Sequence, residues 1–352
     1  MRWKRRAKRI PAVLGVTVTA TVLSPAAVVG LFGYDMMRGR FRLPTLRAGL
    51  FVWQYLLNDT VEILAAPLLW AAGGFGVRLD APASIRRHER LQRWSVTVLA
   101  RRAERLLGVR LDVDDNSVAA LEPGPLIVCC RHVNLLDSSL PSVLFHDRDV
   151  HVRGVIMAEL LADPGFDLLY GRLGSVFIPR DNAPEAHRAV ARLSAGLDEN
   201  SVAVIFPEGR LFRPEILERS LQRLAARDPL RAAGLAGLRH VLPPRPGGFN
   251  ALLDGAPTAD VVIVAHAGLD GYTRFVDLAR NVPLGHPVKV AAWRTSRADV
   301  PADAAGRIAW LDTQWRRMDD WIDAQLDGLP DCHGIRTSRS ALPAPVSTRT
   351  DR

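Results

Sequence analysis

The sequence predicts an α/β protein with a largely parallel central sheet flanked by helices, preceded by an apolar helical segment that anchors it in a membrane. From residue 109 to residue 327, short apolar runs alternate with longer amphipathic stretches, which is typical of a parallel sheet covered by helices. The first 78 residues instead hold a basic tail and two long apolar stretches. The chain therefore divides into membrane-associated helices at 1–78, a globular domain at 79–327 and a polar tail at 328–352. With little to bury, the tail is expected to be disordered.

Charge and cysteine content exclude several function classes. The net charge is +9, but six of the basic residues lie within residues 2–9 and the rest of the chain is nearly balanced. A nucleic-acid partner is therefore not expected. Two of the three cysteines, Cys129 and Cys130, are adjacent in an apolar run, and no disulfide or zinc-ligand spacing occurs. This pattern indicates a reducing compartment and no metal site.

The N-terminal segment is long enough to cross a membrane. Residues 10–34 carry no charge and exceed the ~20 residues that a helical span requires, with Pro25 expected to kink the helix. The preceding basic residues predict a cytoplasmic N-terminus, and a cleaved signal peptide is the less favoured alternative. A second apolar stretch at 48–77 is interrupted by Asp59 and Glu62 and follows a basic loop. The sequence leaves three membrane arrangements open for this segment: two spans, one span plus an interfacial helix, or a hairpin within one leaflet.

The remaining elements follow from hydrophobic periodicity. An arginine-rich helix on the membrane surface or against the core is expected at 83–107, and an alternating strand at 109–113. Further strands are predicted at 125–130, 150–157, 175–178, 201–206, 261–265 and 288–293, and further helices at 137–145, 166–170, 184–197 and 301–326.

The first candidate catalytic pair follows the strand at 125–130. His132 comes at the end of that strand, and Asp137 stands five residues later, where it can cap the next helix. A carboxylate can accept a hydrogen bond from one ring nitrogen of the histidine. This fixes the tautomer and leaves the other nitrogen free to take a proton. His132 and Asp137 are therefore candidates for a general base and its orienting acid.

Two further clusters lie at predicted strand ends. Gly174 permits close backbone approach, Phe177 lies in the strand, and Arg180 can fork two hydrogen bonds to a phosphate. The strand at 201–206 breaks at Pro-Glu-Gly, which places Glu208 at the same sheet edge as His132 because parallel strands end on one side.

A rigid Pro/Gly-rich loop at 240–249 is a third cluster. Its Arg245 is a candidate second cation for an anionic substrate.

These blocks in this order resemble the lysophosphatidic acid acyltransferase family, the 1-acylglycerol-3-phosphate O-acyltransferases. The motifs are His-x4-Asp, Gly-x-x-Phe-Ile-x-Arg and Phe-Pro-Glu-Gly, and residues 240–249 are similar to a His-x-x-x-Pro-Arg-x-x-Gly-Phe segment of one subgroup. The resemblance covers roughly residues 10–327. Three departures touch the acceptor site: Arg131 where Asn is frequent, Arg210 followed by Leu211 where Thr-Arg is common, and no lysine near Met157.

The resemblance implies a membrane-bound enzyme that moves a fatty acyl group from acyl-CoA, or acyl-carrier protein, to the free hydroxyl of lysophosphatidic acid, giving phosphatidic acid. It implies His132 as the general base and Asp137 as its orienting acid, without a cofactor or an acyl-enzyme. The N–H of Gly209 is a candidate oxyanion donor. Expected partners are membrane lipids, a lysophospholipid acceptor and acyl-CoA, with the catalytic face toward the cytoplasm. The implied substrate-binding residues are Gly174, Phe177, Arg180, Glu208, Gly209 and Arg210.

Three alternatives accompany this hypothesis. The acceptor is another lysophospholipid or a glycolipid, the chain is an inactive lipid-binding member of the fold, or His132 activates water in a hydrolase. Intact His132, Asp137 and Glu208 together argue against the inactive alternative.

Overall fold

The computed structural model describes residues 2–179, 183–272 and 274–327. The tail at 328–352, predicted to be disordered, lies outside the described residues, as does Arg180.

Seven described strands form one sheet in the order β1-β7-β6-β2-β5-β3-β4. Every neighbouring pair is parallel except β6 and β7, which run antiparallel. The predicted α/β class with a largely parallel sheet is therefore confirmed. The strands are β1 Leu111–Val113, β2 Leu126–Cys130, β3 His151–Met157, β4 Val176–Ile178, β5 Ser201–Ile205, β6 Asp260–Ala267 and β7 Val288–Thr295.

Helices cover the sheet and precede it. Several begin with proline in the first turn, where its missing N–H costs no hydrogen bond. The α-helices are α1 Arg2–Met37, α2 Pro44–Ala72, α3 Pro82–Arg102, α4 Asp115–Ala120, α5 Leu140–Leu144, α6 Ala183–Ser194, α7 Pro214–Ala225, α8 Pro229–Leu235, α9 Pro246–Gly255, α10 Phe275–Asn281 and α11 Ala304–Asp327. The described elements also include short π-helices and short 3₁₀ helices. The π-helices are Ala103–Leu107 and Phe166–Tyr170, and the 3₁₀ helices are Leu136–Ser139, Ala158–Ala162 and Arg297–Asp299.

The central strands hold the core. Every residue of β2 and β5 is buried, which explains why these strands read as unbroken apolar runs rather than as alternating patterns. Cys129 of β2 stands in register with Ile205 of β5. Because both strands end within one residue of this pair, the segments that follow them emerge side by side at the carboxyl edge of the sheet.

The two N-terminal helices pack against each other through hydroxyl contacts. Thr60 Oγ1 donates to Thr17 Oγ1 at 3.1 Å, and Trp53 Nε1 donates to Thr21 Oγ1 at 3.1 Å. Of the described helices, only α1 is long and apolar enough to cross a membrane, and its apolar stretch is almost wholly exposed. It continues as a helix through Pro25.

The second apolar stretch forms one helix despite its two acidic residues. α2 runs unbroken through Asp59 and Glu62 because both side chains are buried against the rest of the protein. Asp59 Oδ1 accepts from the backbone N–H of Gly165 at 2.9 Å, and Glu62 Oε1 accepts from the hydroxyl of Ser95. These carboxylates form a polar face that joins α2 to the globular domain.

Candidate active site

The His132 main chain is fixed from two directions at the end of β2. Its N–H donates to Glu208 Oε1 at 3.0 Å, and its carbonyl accepts from the N–H of Phe212 at 2.7 Å. The imidazole stacks at a tilt beside Phe206, with ring centroids 4.6 Å apart. The loop that follows β5 therefore clamps the segment that follows β2, as expected for adjacent parallel strands.

Asp137 lies directly against the imidazole. The Nδ1 atom of His132 is 2.6 Å from Asp137 Oδ1. The pair predicted from the five-residue spacing therefore forms, while its catalytic role stays a prediction. Nε2 is then the ring nitrogen available to a substrate, and 18% of the His132 side chain is exposed.

Asp137 does not cap the following helix as expected. Its Oδ2 atom instead accepts the backbone N–H groups of Val133 and Asn134, at 2.5 Å and 2.7 Å. The carboxylate thus closes the turn between His132 and itself, and Asn134 Oδ1 accepts from the N–H of Leu136 at 2.9 Å within the same turn. The physical reason is that the chain forms a 3₁₀ turn here before α5 begins, so the nearest unpaired donors lie upstream of Asp137.

The hydrogen bonds set the charge states of this pair. Burial alone would raise the pKa of Asp137, but the hydrogen bond from His132 and the nearby ring of His266 outweigh it and hold that pKa well below its usual range. Burial opposes protonation of His132, but the hydrogen bond to Asp137 and the charges of Asp137 and Glu208 prevail and raise its pKa. The arrangement therefore joins a permanent carboxylate to an imidazole that is a stronger base than an ordinary histidine.

Glu208 reaches the predicted sheet edge, but its carboxylate is turned inward. The residue is 1% exposed, and its two oxygens accept from the N–H groups of His132 and Leu242, at 3.0 Å and 2.8 Å. Burial raises the pKa of Glu208 to about 7 even though these hydrogen bonds and Arg131 favour its charged form. In this geometry Glu208 positions the backbone of His132 rather than facing a bound substrate.

Gly209 does not offer its N–H to an oxyanion. That N–H donates to the carbonyl of Phe206 at 2.9 Å, which closes the turn after β5. Gly209 has a φ of +66°, so a side chain here would be strained, and the space a Cβ would take adjoins the guanidinium of Arg245. The expected oxyanion role is therefore corrected: the glycine is required by the turn, and it lies beside Arg245, with the partly exposed Arg210 next in the chain.

The second predicted cluster lies farther away. β5 and β3 stand between β2 and β4, so at ~4.8 Å per strand β4 lies roughly 14 Å from β2. Gly174 adopts a φ of +82° and packs beside the side chain of Arg153, and Phe177 packs near Gly171. Gly174 and Phe177 are thus not brought into contact with His132.

The most heavily charged part of the site was not predicted. Arg131, next to the candidate base, is fully buried; Nε and Nη2 donate to the carbonyl of His240, and Nη2 also pairs with Asp270. A charge buried this deeply requires compensating partners. Asp270 lies 139 residues away in sequence, so no local pattern could have identified the pair.

The site shows no arrangement typical of a metal centre. Within residues 2–179, 183–272 and 274–327, no group of three or more His, Cys, Asp or Glu side chains is placed to hold a metal ion.

Comparisons with known proteins identify the chemistry in outline. A family model for acyltransferases, described simply as "Acyltransferase", matches residues 112–267, which include every residue of the site described above except Asp270. No curated protein gives a match. Among solved structures, the chain is similar to the 1-acyl-sn-glycerophosphate (LPA) acyltransferase PlsC from Thermotoga maritima, at 14% identity, over 78% of this chain and 98% of that one, with a TM-score of 0.43. The prediction of an acyltransferase is confirmed by the family match.

Proposed function

Because residues 112–267 form an acyltransferase domain, we propose that this enzyme moves a fatty acyl group from acyl-CoA, or acyl-carrier protein, to the free hydroxyl of lysophosphatidic acid, giving phosphatidic acid. The observation that carries the proposal is the 2.6 Å contact between His132 Nδ1 and Asp137 Oδ1, which directs Nε2 to a substrate.

His132 acts as the general base. Its Nε2 takes the proton of the acceptor hydroxyl as the oxygen attacks the thioester carbonyl, the C–S bond breaks, and the thiolate leaves and is protonated by the imidazolium. Asp137 holds the ring and stabilises the imidazolium between these steps.

No acyl-enzyme is needed for this reaction. Cys129 and Cys130 are fully buried within β2, and burial raises the pKa of both thiols, so neither is a nucleophile. This supports direct transfer from donor to acceptor.

Cations around the site bind the acceptor phosphate. In the family resemblance this role falls to Gly174, Phe177 and Arg180, on the segment that includes β4. β4 is roughly 14 Å from β2, whereas the phosphate and the free hydroxyl of the acceptor are on adjacent glycerol carbons, so a phosphate held there requires side chains that reach toward His132. Arg210 and Arg245 lie on the loops beside His132, so they support binding of the same phosphate closer to the base.

The membrane holds this enzyme through α1. The helix is ~54 Å long at 1.5 Å per residue and exceeds the ~30 Å apolar core of a bilayer. Its basic end docks on the globular domain: Arg5 Nη2 and Arg6 Nε pair with Asp167, at 2.8 Å and 3.0 Å. Basic residues before the apolar stretch favour a cytoplasmic N-terminus and so support a catalytic domain on that side.

An acyl-transfer assay on membranes tests the proposal. The donor is long-chain acyl-CoA, and the acceptors are lysophosphatidic acid, other lysophospholipids and a glycolipid. We expect the highest kcat/KM with lysophosphatidic acid. Better transfer to another acceptor would keep the reaction class and reject the named acceptor, and thioester loss without any acceptor would indicate a hydrolase.

The phosphate contacts are tested with arginine variants. We expect Arg180→Ala to raise the KM for lysophosphatidic acid by roughly ten- to a hundredfold, because one charge-assisted contact is lost. Arg223→Ala, at an exposed position of α7, is the matched control and should leave that KM unchanged. An unchanged KM in Arg180→Ala would remove Arg180 from the acceptor site.

A further inference from the structure

A second histidine faces the carboxylate that orients His132. His266 lies on β6 and is wholly buried, with Nε2 at 3.4 Å from Asp137 Oδ2. In the β2–β6 ladder Cys130 stands opposite Val264, so the continued parallel register places His266 beside His132. Asp137 therefore lies between two imidazoles, one on each carboxylate oxygen.

The backbone of His266 is held by the buried charges around it. Its carbonyl accepts from Arg131 Nη1 at 2.8 Å, and Arg131 pairs with Asp270. Asp270 Oδ2 in turn accepts from the N–H of Gly268 at 3.0 Å, on the chain just after β6. A buried arginine and its partner thus fix the position of the strand end that carries His266 toward Asp137.

The surroundings of the His266 ring indicate where its proton lies. Within the described residues, both ring nitrogens are buried without a hydrogen bond, but Nε2 lies 3.4 Å from Asp137 Oδ2 and so has an acceptor within reach. A buried donor without an acceptor is rarer and more costly than a buried acceptor without a donor. The proton of a neutral ring therefore belongs on Nε2, directed at Asp137. At 3.4 Å the contact is long, as catalytic hydrogen bonds often are before substrate binds.

We infer that His266 is a positioning residue that acts through Asp137: it shares the negative charge of the carboxylate with His132 and so sets how tightly His132 holds a proton. This inference rests on the proposed role of His132 as the general base. Asp137 faces both rings, the charge of Glu208 acts on His132, and the charge of Asp270 acts on His266, whose backbone carbonyl is held by Arg131.

The consequence is a specific change in pH dependence. Removing the Nε2–H donor concentrates the charge of Asp137 on His132, so the imidazolium becomes more stable and the base stays protonated to higher pH. The acid limb of kcat/KM should move upward by roughly 0.5–1 pH unit. Activity should therefore fall about three- to tenfold below the limb and stay nearly unchanged above it.

Two substitutions separate this role from a structural one. His266→Leu removes the donor at similar volume, whereas His266→Gln keeps an N–H donor near the Nε2 position. We expect the upward limb shift in His266→Leu, recovery of the wild-type profile in His266→Gln, and an unchanged KM for both substrates. A loss of activity that is uniform across pH, or equal in the two variants, would overturn the inference.

A readout independent of catalysis completes the test. ¹⁵N-histidine NMR of the full chain in detergent micelles reports the His132 titration directly, and it should show a higher pKa in His266→Leu, with circular dichroism confirming the fold. If that variant does not fold, His266→Met takes its place. In the wild-type protein the same spectra should show His266 protonated on Nε2, and a proton on Nδ1 alone would contradict the inference even if no variant folds.

The same design keeps the two proposals distinguishable. If wild-type enzyme transfers no acyl group to any acceptor, the proposed function fails while the NMR titration still decides whether His266 tunes His132. If transfer occurs but the His132 titration is the same in wild type and a folded His266→Leu variant, only the inference about His266 fails.

Discussion

Two histidine–aspartate pairs in this protein look alike and differ in their surroundings. His132 Nδ1 is 2.6 Å from Asp137, and His240 Nε2 is 3.0 Å from Asp323, with the two imidazoles 18% and 17% exposed. Asp137 is fully buried and contacts two imidazoles and backbone N–H groups, whereas Asp323 is 20% exposed and also pairs with Arg239 at 2.8 Å.

The difference shows that contact between a histidine and a carboxylate is weak evidence for a general base. At the His240 pair, the carboxylate is partly exposed to solvent and also pairs with an arginine. At the His132 pair, burial of the ring opposes its protonation, but the hydrogen bond and charge of the solvent-excluded Asp137 outweigh this and raise the pKa of His132. Burial of the acid, rather than the pair itself, is what supports the proposed role of His132.

The largest expected difference comes from neutralising each acid. Asp137→Asn should lower kcat by about 10³–10⁴-fold, because the amide no longer stabilises the imidazolium and favours the wrong tautomer. Asp323→Asn should leave kcat within about twofold. Acyl-transfer rates of both purified variants check this, and comparable losses in the two would show that the pairs are equivalent.

The next largest difference concerns how much the arginine near each pair contributes to the stability of the fold. Arg131→Met leaves Asp270 buried without its cation and should lower the free energy of unfolding by about 3–5 kcal/mol. Arg239→Met removes a partly exposed cation and should lower it by less than ~1 kcal/mol. Denaturant unfolding in detergent measures both values, and a small loss in Arg131→Met would mean that the buried ion pair is not required.

The smallest expected effect is a shift in pH dependence. The general base must be neutral, and the pKa of His132 is raised, so the acid limb of kcat/KM should lie above the ~6.5 of an ordinary histidine. Activity is therefore lost as pH falls through the raised pKa and gained as pH rises above it. In Asp137→Asn the residual activity should show a limb at lower pH, while His240→Ala should leave the limb in place. A wild-type limb at or below ~6.5 would contradict this assignment.

Local spacing and strand order account for what the sequence revealed of the site. His132 and Asp137 stand five residues apart in one turn, so their contact depends on little else. Glu208 was placed at the correct edge because adjacent parallel strands end together. The inward orientation of the Glu208 carboxylate was not predictable from the sequence, because the Leu242 N–H that donates a hydrogen bond to it lies on a loop 34 residues later.

Long-range packing decided the rest. His266 and Asp270 reach the site only because β6 lies beside β2, a neighbour relation that hydrophobic periodicity does not encode. Strand direction is equally hidden, so the antiparallel pairing of β7 with β6 was not foreseen. The Gly209 N–H was misassigned because a glycine in a turn and a glycine that binds an oxyanion look the same in sequence.

The central claim is that His132, and not another histidine in a similar pair, is the general base. The most direct test compares acyl transfer by His132→Ala and His240→Ala in the same membranes, with circular dichroism confirming that both fold. We expect His132→Ala to lose about 10³-fold or more in turnover and His240→Ala to remain near the wild-type rate. A folded His132→Ala variant with near-normal turnover would remove His132 as the base.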